Sequence, residues 1–294
     1  MNTASAAELS GRSGPAAERL FRENTVGKVC GVFSTALYCD FGEEILLFHG
    51  SAYGEVPFGI ALDDIQSFLG GCKAQVGDVA VLRADGFSLG VQSYILRQGA
   101  ERPQQQKGVL LPPGAERLDT LYTFIRENGS PHGILSLLET DATTKAALPA
   151  LESAFCKGDM RTARDAALRL IGRGRGLTPS GDDFLCGFFQ TLYAARRAEI
   201  AVPEITDACA AAVSGALART SQISGAYLRH ALAGSYFTVY DVAVHAVLGD
   251  SDFDKACRFV FTMGASSGTD TLLGALSAAR VLSASHREPR GYIS

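Results

Sequence analysis

Residues 172–189 read G-R-G-R-G-L-T-P-S-G-D-D-F-L-C-G-F-F and contain residue types that suit the binding of a small anion. Three glycines and two arginines, Arg173 and Arg175, give a flexible and positively charged loop. A Thr-Pro-Ser turn and an apolar run follow, and this order is typical of the start of a helix. Because the first amides of a helix are free and its N-terminus is positive, we expect an anion to bind here.

Two acidic residues in the same turn change the chemistry that is expected. Asp182 and Asp183 would repel a phosphate that arrived without a counter-ion. Mg²⁺ binds one or two carboxylates and leaves its other positions to water and substrate phosphate. The sequence therefore predicts phosphate together with a divalent cation, for which Mg²⁺ is the expected ion.

The chain contains part of this motif twice. Ser180–Gly187 aligns without gaps on Ser267–Gly274, and both segments fit the pattern S-G-x-D-x-L-x-G. Asp183 and Asp270 are equivalent, so Asp270 joins Asp182 and Asp183 as a predicted cation ligand and catalytic residue. Two copies 87 residues apart do not indicate a solenoid, and we interpret them as two helix N-termini that pair.

Helix capping is a simpler interpretation of the same motif. S-x-x-D is a variant of the capping box. In this motif the serine side chain accepts a hydrogen bond from the backbone amide three residues later, and the acid accepts one from the backbone amide of the serine. Capping does not account for Asp182, for the arginines or for the second hydroxyl cluster at Ser266, Ser267 and Thr269. We therefore favour a binding site and keep capping as the alternative.

The composition is that of an ordinary soluble globular protein. The chain has 294 residues, of which 47% are hydrophobic, and a net charge of −4, so nucleic acid is not an expected partner. Its seven cysteines are odd in number, scattered and without a C-x-x-C pair, which favours reduced thiols in the cytoplasm. We find no apolar run of membrane-spanning length and no hydrophobic signal core, and we expect no membrane partner.

The sequence patterns predict an α+β fold with two domains. Residues 1–18 are small and polar, which predicts a disordered tail. Residues 19–114 contain short strands and turn signals such as Asp85-Gly86, which predict a mostly antiparallel β domain, with a barrel as one possible form. Residues 115–294 show helical spacing, which predicts an all-α domain with the two motif helices central and buried.

Polar residues outside the motifs supply further candidates. Residues 220–230 form a polar island in which one serine should cap the next helix, while Ser224 and Arg229 are candidates for binding a carboxylate. His230 fits an ordinary core or surface residue as well as a site residue. His49 ends a predicted strand, where a reactive group and a partly exposed turn residue are both consistent with the sequence.

The two motifs also carry a family resemblance. Gly174–Gly187 reads G-x-G-L-T-P-S-G-D-D-F-L-x-G and Gly264–Gly274 reads G-x-S-S-G-x-D-x-L-x-G. These segments resemble a bacterial family that includes the AllH-type subunit of oxamate carbamoyltransferase, and the order of a β-rich part before a helical part is similar as well. The resemblance implies participation in the phosphorolysis of oxalurate to oxamate and carbamoyl phosphate, in a complex with two other types of subunit.

The residue chemistry and the resemblance together give a hypothesis for the site. The 172–182 loop would hold phosphate, the three aspartates would hold a cation or orient the attacking group, and the second motif with Arg229 would bind the substrate carboxylate. The predicted binding residues are Arg173, Gly174, Arg175, Gly176, Thr178, Ser180, Gly181, Ser224, Arg229, Ser266, Ser267, Gly268 and Thr269. Two alternatives stay open: a non-catalytic assembly subunit, and a metal-dependent hydrolase of a small amide or glycosidic bond.

Overall fold

The structure is a computed structural model that describes residues 6–99, 108–250 and 252–287. The chain forms two compact units, Met1–Gln104 with Tyr236–Thr238 and Gln105–Ser235 with Val239–Ser294. The first unit is a β barrel and the second is helical, so the predicted α+β class is confirmed. Residues 236–238 join the β unit although they lie late in the chain, which was not predicted from the sequence.

Eight strands form the closed barrel of the first unit. They are β1 (Ala7–Ser13), β2 (Val26–Val32), β3 (Ala36–Asp40), β4 (Ile45–Gly50), β5 (Gly59–Leu62), β6 (Val79–Arg83), β7 (Gly86–Leu89) and β8 (Gln92–Gln98). Their order around the barrel is β1-β5-β4-β3-β2-β6-β7-β8. The pairs β1–β8 and β4–β5 are parallel and the other neighbours are antiparallel, in keeping with the predicted mostly antiparallel domain.

The N-terminal segment is ordered over its described part, so the prediction of a disordered tail over residues 1–18 is wrong from residue 7 onward. Ala7–Ser13 forms β1, and helix α1 (Pro15–Arg22) follows directly. Small polar residues are poor strand formers, but β1 hydrogen-bonds along both of its edges, to β5 and to β8. Pairing on both sides closes the barrel and outweighs the weak local preference.

Aromatic side chains fill the barrel core. Phe48 from β4, Phe87 from β7 and Tyr94 from β8 pack with Phe68 from helix α2 (Ile65–Cys72), with ring centroids 4.7–6.0 Å apart. Because side chains alternate along a strand, Phe48 points into this core and its neighbour His49 points to the opposite face of the sheet.

The second unit is a helical bundle. Its helices are α3 (Ala115–Asn128), α4 (Ile134–Thr140), α5 (Ala142–Lys157), α6 (Met160–Leu170), α7 (Ser180–Arg197), α8 (Thr206–Ser214), α9 (Gln222–Leu232), α10 (Thr238–Leu248), α11 (Phe253–Phe261) and α12 (Ser267–Arg287). The motif helices α7 and α12 are buried along most of their length, as predicted. Among the described residues, no helix is both long and apolar enough to cross a membrane.

Candidate functional site

The two motif helices form a symmetric pair. Helix α7 begins at Ser180 and helix α12 begins at Ser267, the first residue of each motif copy. Near their starts, Ser180 hydrogen-bonds to Asp270 and Ser267 to Asp183. In each contact the serine of one motif copy bonds to the aspartate of the other copy. Because the two contacts are reciprocal, the N-termini of the two helices lie side by side.

The last glycine of each motif permits this close packing. A Cβ atom added at Gly187 would lie 2.0 Å from the carbonyl oxygen of Thr271, and one added at Gly274 would lie 1.9 Å from that of Phe184. Thr271 and Phe184 are equivalent positions of the two motif copies. The first turns of the two helices are in contact with each other, and so are the residues one to two turns further along. Helices α7 and α12 therefore run in the same direction, with their backbones in contact.

The serine and aspartate of each motif bond across the pair and not within their own helix. Burial raises the pKa of both aspartates. Hydrogen bonds from Ser267 and Thr178 oppose the rise at Asp183, and hydrogen bonds from Ile134, Ser180 and Ser266 oppose it at Asp270. Helix α7 has no side-chain hydrogen bond at its cap. The capping box therefore does not describe the first motif, whose polar groups join the two helices.

Asp270 also holds a neighbouring loop. Its Oδ1 accepts the Ile134 amide at 2.7 Å, at the start of α4, and Thr269 Oγ1 accepts the Ser130 amide at 2.8 Å. Gly133 has φ of +73°, and a Cβ there would lie 2.4 Å from both Asp270 carboxyl oxygens. Only glycine suits this position, because it combines the left-handed conformation with the close approach of the carboxyl group.

Asp182 has a different environment from the other two aspartates. It is fully buried, and its Oδ1 accepts the Gly172 amide at 2.8 Å. Its Oδ2 accepts the Ser224 hydroxyl at 2.7 Å and also the Thr220 hydroxyl. Burial raises the pKa of Asp182 and these three hydrogen bonds oppose the rise. With both oxygens engaged, Asp182 fixes the glycine loop and helix α9 to the start of α7.

Asp183 and Asp270 form a buried carboxyl pair. Burial raises the pKa of Asp183 well above its ordinary value of 3.8, and the charge of Asp270 raises it further. Burial also raises the pKa of Asp270, to about 6. Each group keeps one buried oxygen, Oδ2, without a hydrogen-bond partner. Such a pair tends to retain a proton near neutral pH, because two adjacent buried charges are costly.

The unpartnered oxygens could accept either a proton or a cation. Mg²⁺ needs only one or two carboxylates when water and phosphate complete its shell, so the Asp183–Asp270 pair fits the predicted ion in donor type. Asp182 fits less well because its oxygens already accept three hydrogen bonds. Within residues 6–99, 108–250 and 252–287, no group of three His, Cys, Asp or Glu side chains is arranged to hold a metal ion.

The glycine loop is only partly available to a ligand. Gly172 donates to Asp182, Arg173 to the Leu170 carbonyl, and Gly181 to the Arg173 carbonyl. The Asp182 and Asp183 amides both donate to the carbonyl of the residue before Ser180, Pro179. These amides of the predicted phosphate site are therefore already occupied within the chain.

The remaining part of the loop is exposed and positively charged. Gly174 and Gly176 have φ of +112° and +96°, and Arg173 and Arg175 are exposed beside them. Thr178 Oγ1 lies 3.1 Å from Ser267 Oγ, so the first loop contacts the start of the second motif helix. If phosphate binds in this loop, the structure leaves residues 174–176 as the accessible part.

The other predicted site residues fall into two groups. Ser224 is buried on Asp182, and Ser266 reaches Asp270, so both support the aspartates. Arg229 is exposed in the last turn of α9, and His230 Nδ1 lies 3.4 Å from Ser235 Oγ.

Sequence reasoning did not identify several residues that build the site. Ser130, Gly133 and Ile134 bind the second motif, and Thr220 binds Asp182. The available signal was the Ser-Pro-His-Gly sequence directly before an apolar helical stretch, which marks a turn without indicating what it contacts. Cys186 is buried beside the pair, and burial raises its pKa well above 9, so it stays a thiol.

The helical unit thus contains two equivalent helix N-termini around a buried carboxyl pair, an arrangement suited to proton transfer or cation binding. Residues 170–279 match the family model described as oxamate carbamoyltransferase subunit AllH. The match includes both motifs, and it confirms the resemblance to the AllH-type family over this segment. Neither the curated proteins nor the solved structures contain a match to the chain.

The raised pKa of Asp270 predicts a pH-dependent stability. A carboxyl group with a pKa of 3.8 unfolded and about 6 folded stabilises the protein fully below pH 3.8, and this contribution is lost as the pH rises through about 6. Between pH 5 and 7.5 the loss from this group is about 1.4 kcal/mol. Asp270→Asn keeps an oxygen for the Ile134 amide but cannot ionise, so urea unfolding should show a correspondingly smaller loss of stability over this range.

Asp165→Asn, at a half-exposed position of α6 where the carboxylate pairs with Arg164, is the matched control for this experiment. It should retain the pH profile of the unmodified protein. If Asp270→Asn shows the same profile as the unmodified protein, Asp270 does not bear a raised pKa, and the carboxyl pair does not retain a proton in the way described.

Proposed function

We propose that this chain is a subunit of a carbamoyltransferase that acts on a small N-carbamoyl acid, converting oxalurate and phosphate to oxamate and carbamoyl phosphate. The observation that carries the proposal is the coincidence of the family match with the buried Asp183–Asp270 pair: residues 170–279 contain both halves of the pair and both motif loops. The proposed partners are phosphate, the carbamoyl acid and the other subunits of the complex.

The reaction needs a proton to move between two substrates. A phosphate oxygen attacks the carbamoyl carbon, the bond from that carbon to the oxamate nitrogen breaks, and the nitrogen takes up a proton while phosphate loses one. A carboxyl pair that holds one proton can supply the proton that the nitrogen takes up and accept the proton that phosphate loses. In this proposal Asp183 and Asp270 transfer the proton, and Asp182, Ser180 and Ser267 position them.

The substrate groups are assigned to the two motif loops. Phosphate would bind at residues 174–176 with Arg173 and Arg175, where the loop is exposed and positive. The carboxylate of the carbamoyl acid would bind at Ser266, Ser267 and Thr269, at the start of α12. The carboxyl pair is buried, so in this proposal ligand or partner binding opens a path to it, and the Thr178–Ser267 contact, with hydroxyls 3.1 Å apart, is the one we expect to separate.

A divalent cation is the alternative occupant of the carboxyl pair in this proposal. Asp183 and Asp270 would then hold the cation through their unpartnered oxygens in place of the proton, and its chemistry would be to neutralise charge on the phosphate and the carbamoyl oxygen. Asp182 would then hold the glycine loop and not the ion. Mg²⁺ dependence of ligand binding, measured with and without EDTA, tests this part separately from the transferase activity.

Reconstitution of the complex tests the proposed function. The chain is mixed with the two other subunit types, and carbamoyl phosphate formed from oxalurate and phosphate is measured. We expect formation to require this chain and to fall when Arg173 and Arg175 are both changed to alanine, with a higher KM for phosphate. Equal activity of the other subunits without this chain would show that its role is not in this reaction.

The assembly-subunit alternative predicts a different pattern. If the motifs only pack the helices together, the complex should lose activity only with variants that also lose stability or assembly. The buried unpartnered oxygens favour the site, because a purely structural aspartate normally has both oxygens hydrogen-bonded when it is buried.

A further inference from the structure

Helix α6 presents a positively charged side to solvent. Arg161, Arg164 and Arg169 are exposed on this helix. With 3.6 residues per turn, their positions fall within one side that is about 140° wide. The opposite side is buried within the helical unit and consists of Ala163, Ala166, Ala167 and Leu170. The helix is therefore amphipathic, with an apolar buried side and a cationic exposed side.

The glycine loop continues this charged side. Arg173 and Arg175 are exposed, and Arg173 Nε donates to the Arg169 carbonyl at 3.1 Å, which joins the loop to the last turn of α6. Leu177, at the far end of the loop, is 45% exposed, and its carbonyl accepts the Ser221 hydroxyl. We call the following six residues the basic face: Arg161, Arg164, Arg169, Arg173, Arg175 and Leu177.

The charge of this segment is opposite to that of the whole chain. Residues 157–175 contain six basic and two acidic residues, a local charge of +4, in a chain whose net charge is −4. One of the acids, Asp159, caps α6 and accepts the amide and the hydroxyl of Thr162. The other, Asp165, forms a half-exposed ion pair with Arg164 at 3.2 Å, which a carboxylate of a partner can replace at little cost. The local field therefore attracts an anionic surface.

The chemistry of the basic face favours an acidic protein surface over other anions. Phosphate would use Arg173 and Arg175, which leaves the three arginines of α6 without a role. Residues 157–177 contain no aromatic residue on which nucleic-acid bases could stack. The apolar side of α6 is buried, so the helix has no apolar surface to insert into a membrane. Arginine binds carboxylates through two parallel hydrogen bonds and is enriched at protein interfaces.

We propose that the basic face is the docking surface for an acidic surface of another subunit of the complex, with Leu177 as its apolar contact. The existence of that subunit rests on the proposed function. Thr178 follows Leu177 directly, and its hydroxyl lies 3.1 Å from that of Ser267. A subunit docked on the basic face therefore covers the glycine loop and acts beside the contact that closes the carboxyl pair.

Association of the full chain with the two other subunit types, measured by sedimentation velocity at several salt concentrations, tests this surface. The unmodified chain should associate more weakly as the salt concentration rises, because salt screens the charges that attract the partner. The triple variant Arg161→Gln/Arg164→Gln/Arg169→Gln keeps good helix formers in α6. It should weaken association about tenfold or more and show a smaller dependence on salt.

The matched control is Arg126→Gln/Arg197→Gln/Lys255→Gln, which removes the same number of charges from other exposed positions of the helical unit. It should associate like the unmodified chain. Undiminished association of the α6 variant, an equal loss in the control, or no association of the unmodified chain overturns the proposal. Failure of the proposed function gives a different result, in which the complex assembles through the basic face but forms no carbamoyl phosphate.

A second measurement needs no partner subunit. A fluorescent glutamate-rich peptide and an oligothymidylate of equal charge are each titrated into the isolated full chain. We expect the peptide to bind in a saturable manner and the α6 variant to lose this binding. Absence of peptide binding, or equal or tighter binding of the oligothymidylate, contradicts a surface suited to an acidic protein. Circular dichroism of each variant shows that α6 is still folded.

Discussion

Asp183→Asn should reduce carbamoyl phosphate formation by the reconstituted complex about 10²–10⁴-fold, the usual range for loss of a general acid or base. The amide has nearly the shape of the carboxyl group but cannot accept or release a proton at neutral pH. The melting temperature at pH 7.5 should change little, because burial and the charge of Asp270 favour the neutral form of Asp183, which asparagine resembles in charge and shape. Activity and thermal unfolding of the same preparation measure the two effects together.

The other aspartates provide the controls for this result. Asp182→Ala removes the acceptor of three hydrogen bonds, so it should lower the melting temperature as well as the activity. Asp165→Asn on the surface of α6 should change neither. If Asp183→Asn retains full activity, or loses activity only together with its fold, then Asp183 supports the structure and does not take part in proton transfer.

Gly187→Ala should destabilise the helical unit by about 3 kcal/mol or more, which is at the upper end of overpacking effects. The new methyl group would lie 2.0 Å from the Thr271 carbonyl oxygen, and backbone cannot move away as a flexible side chain can. Gly274→Ala should have a similar effect, because its Cβ would lie 1.9 Å from the Phe184 carbonyl oxygen. Urea unfolding monitored by circular dichroism measures both.

Gly225→Ala in helix α9 is the matched control for helix propensity in the same unit. Its Cβ would have its nearest neighbour at 3.9 Å, an ordinary contact. The substitution should therefore stabilise the protein by up to about 1 kcal/mol. If Gly187→Ala behaves like Gly225→Ala, then α7 and α12 do not pack with their backbones in contact, and the symmetric pair is wrong.

The pairing of the two motif helices could be predicted from the sequence because it depends on a repeated local motif. Asp183 and Asp270 were predicted to be equivalent and to lie at paired helix N-termini. The hydrogen bonds that Ser267 and Ser180 form across the two helices agree with this pairing. Period and composition were also enough to predict a β-rich part and a helical part with buried motif helices. Such features depend on residues close in the chain.

Features that depend on distant contacts were not predictable. The Ile134 amide reaches Asp270 across 136 residues, and nothing near residue 134 indicates this partner. The tail became strand β1 because two other strands pair with it, which its own residues do not reveal. The assignment of loop amides to phosphate assumed that they were free, whereas Gly172 and Gly181 donate to groups within the chain.

A thermal-shift titration of the isolated chain tests the central claim most directly. The ligands are phosphate, carbamoyl phosphate, oxamate and oxalurate, each with and without Mg²⁺, on the unmodified protein and on the Arg173→Ala/Arg175→Ala variant. We predict that phosphate species raise the melting temperature by about 2–4 °C for each kcal/mol of binding energy, that Mg²⁺ increases the shift, and that the variant loses it. No shift with any ligand, or the same shift in the variant, would contradict a phosphate site at the paired motif helices.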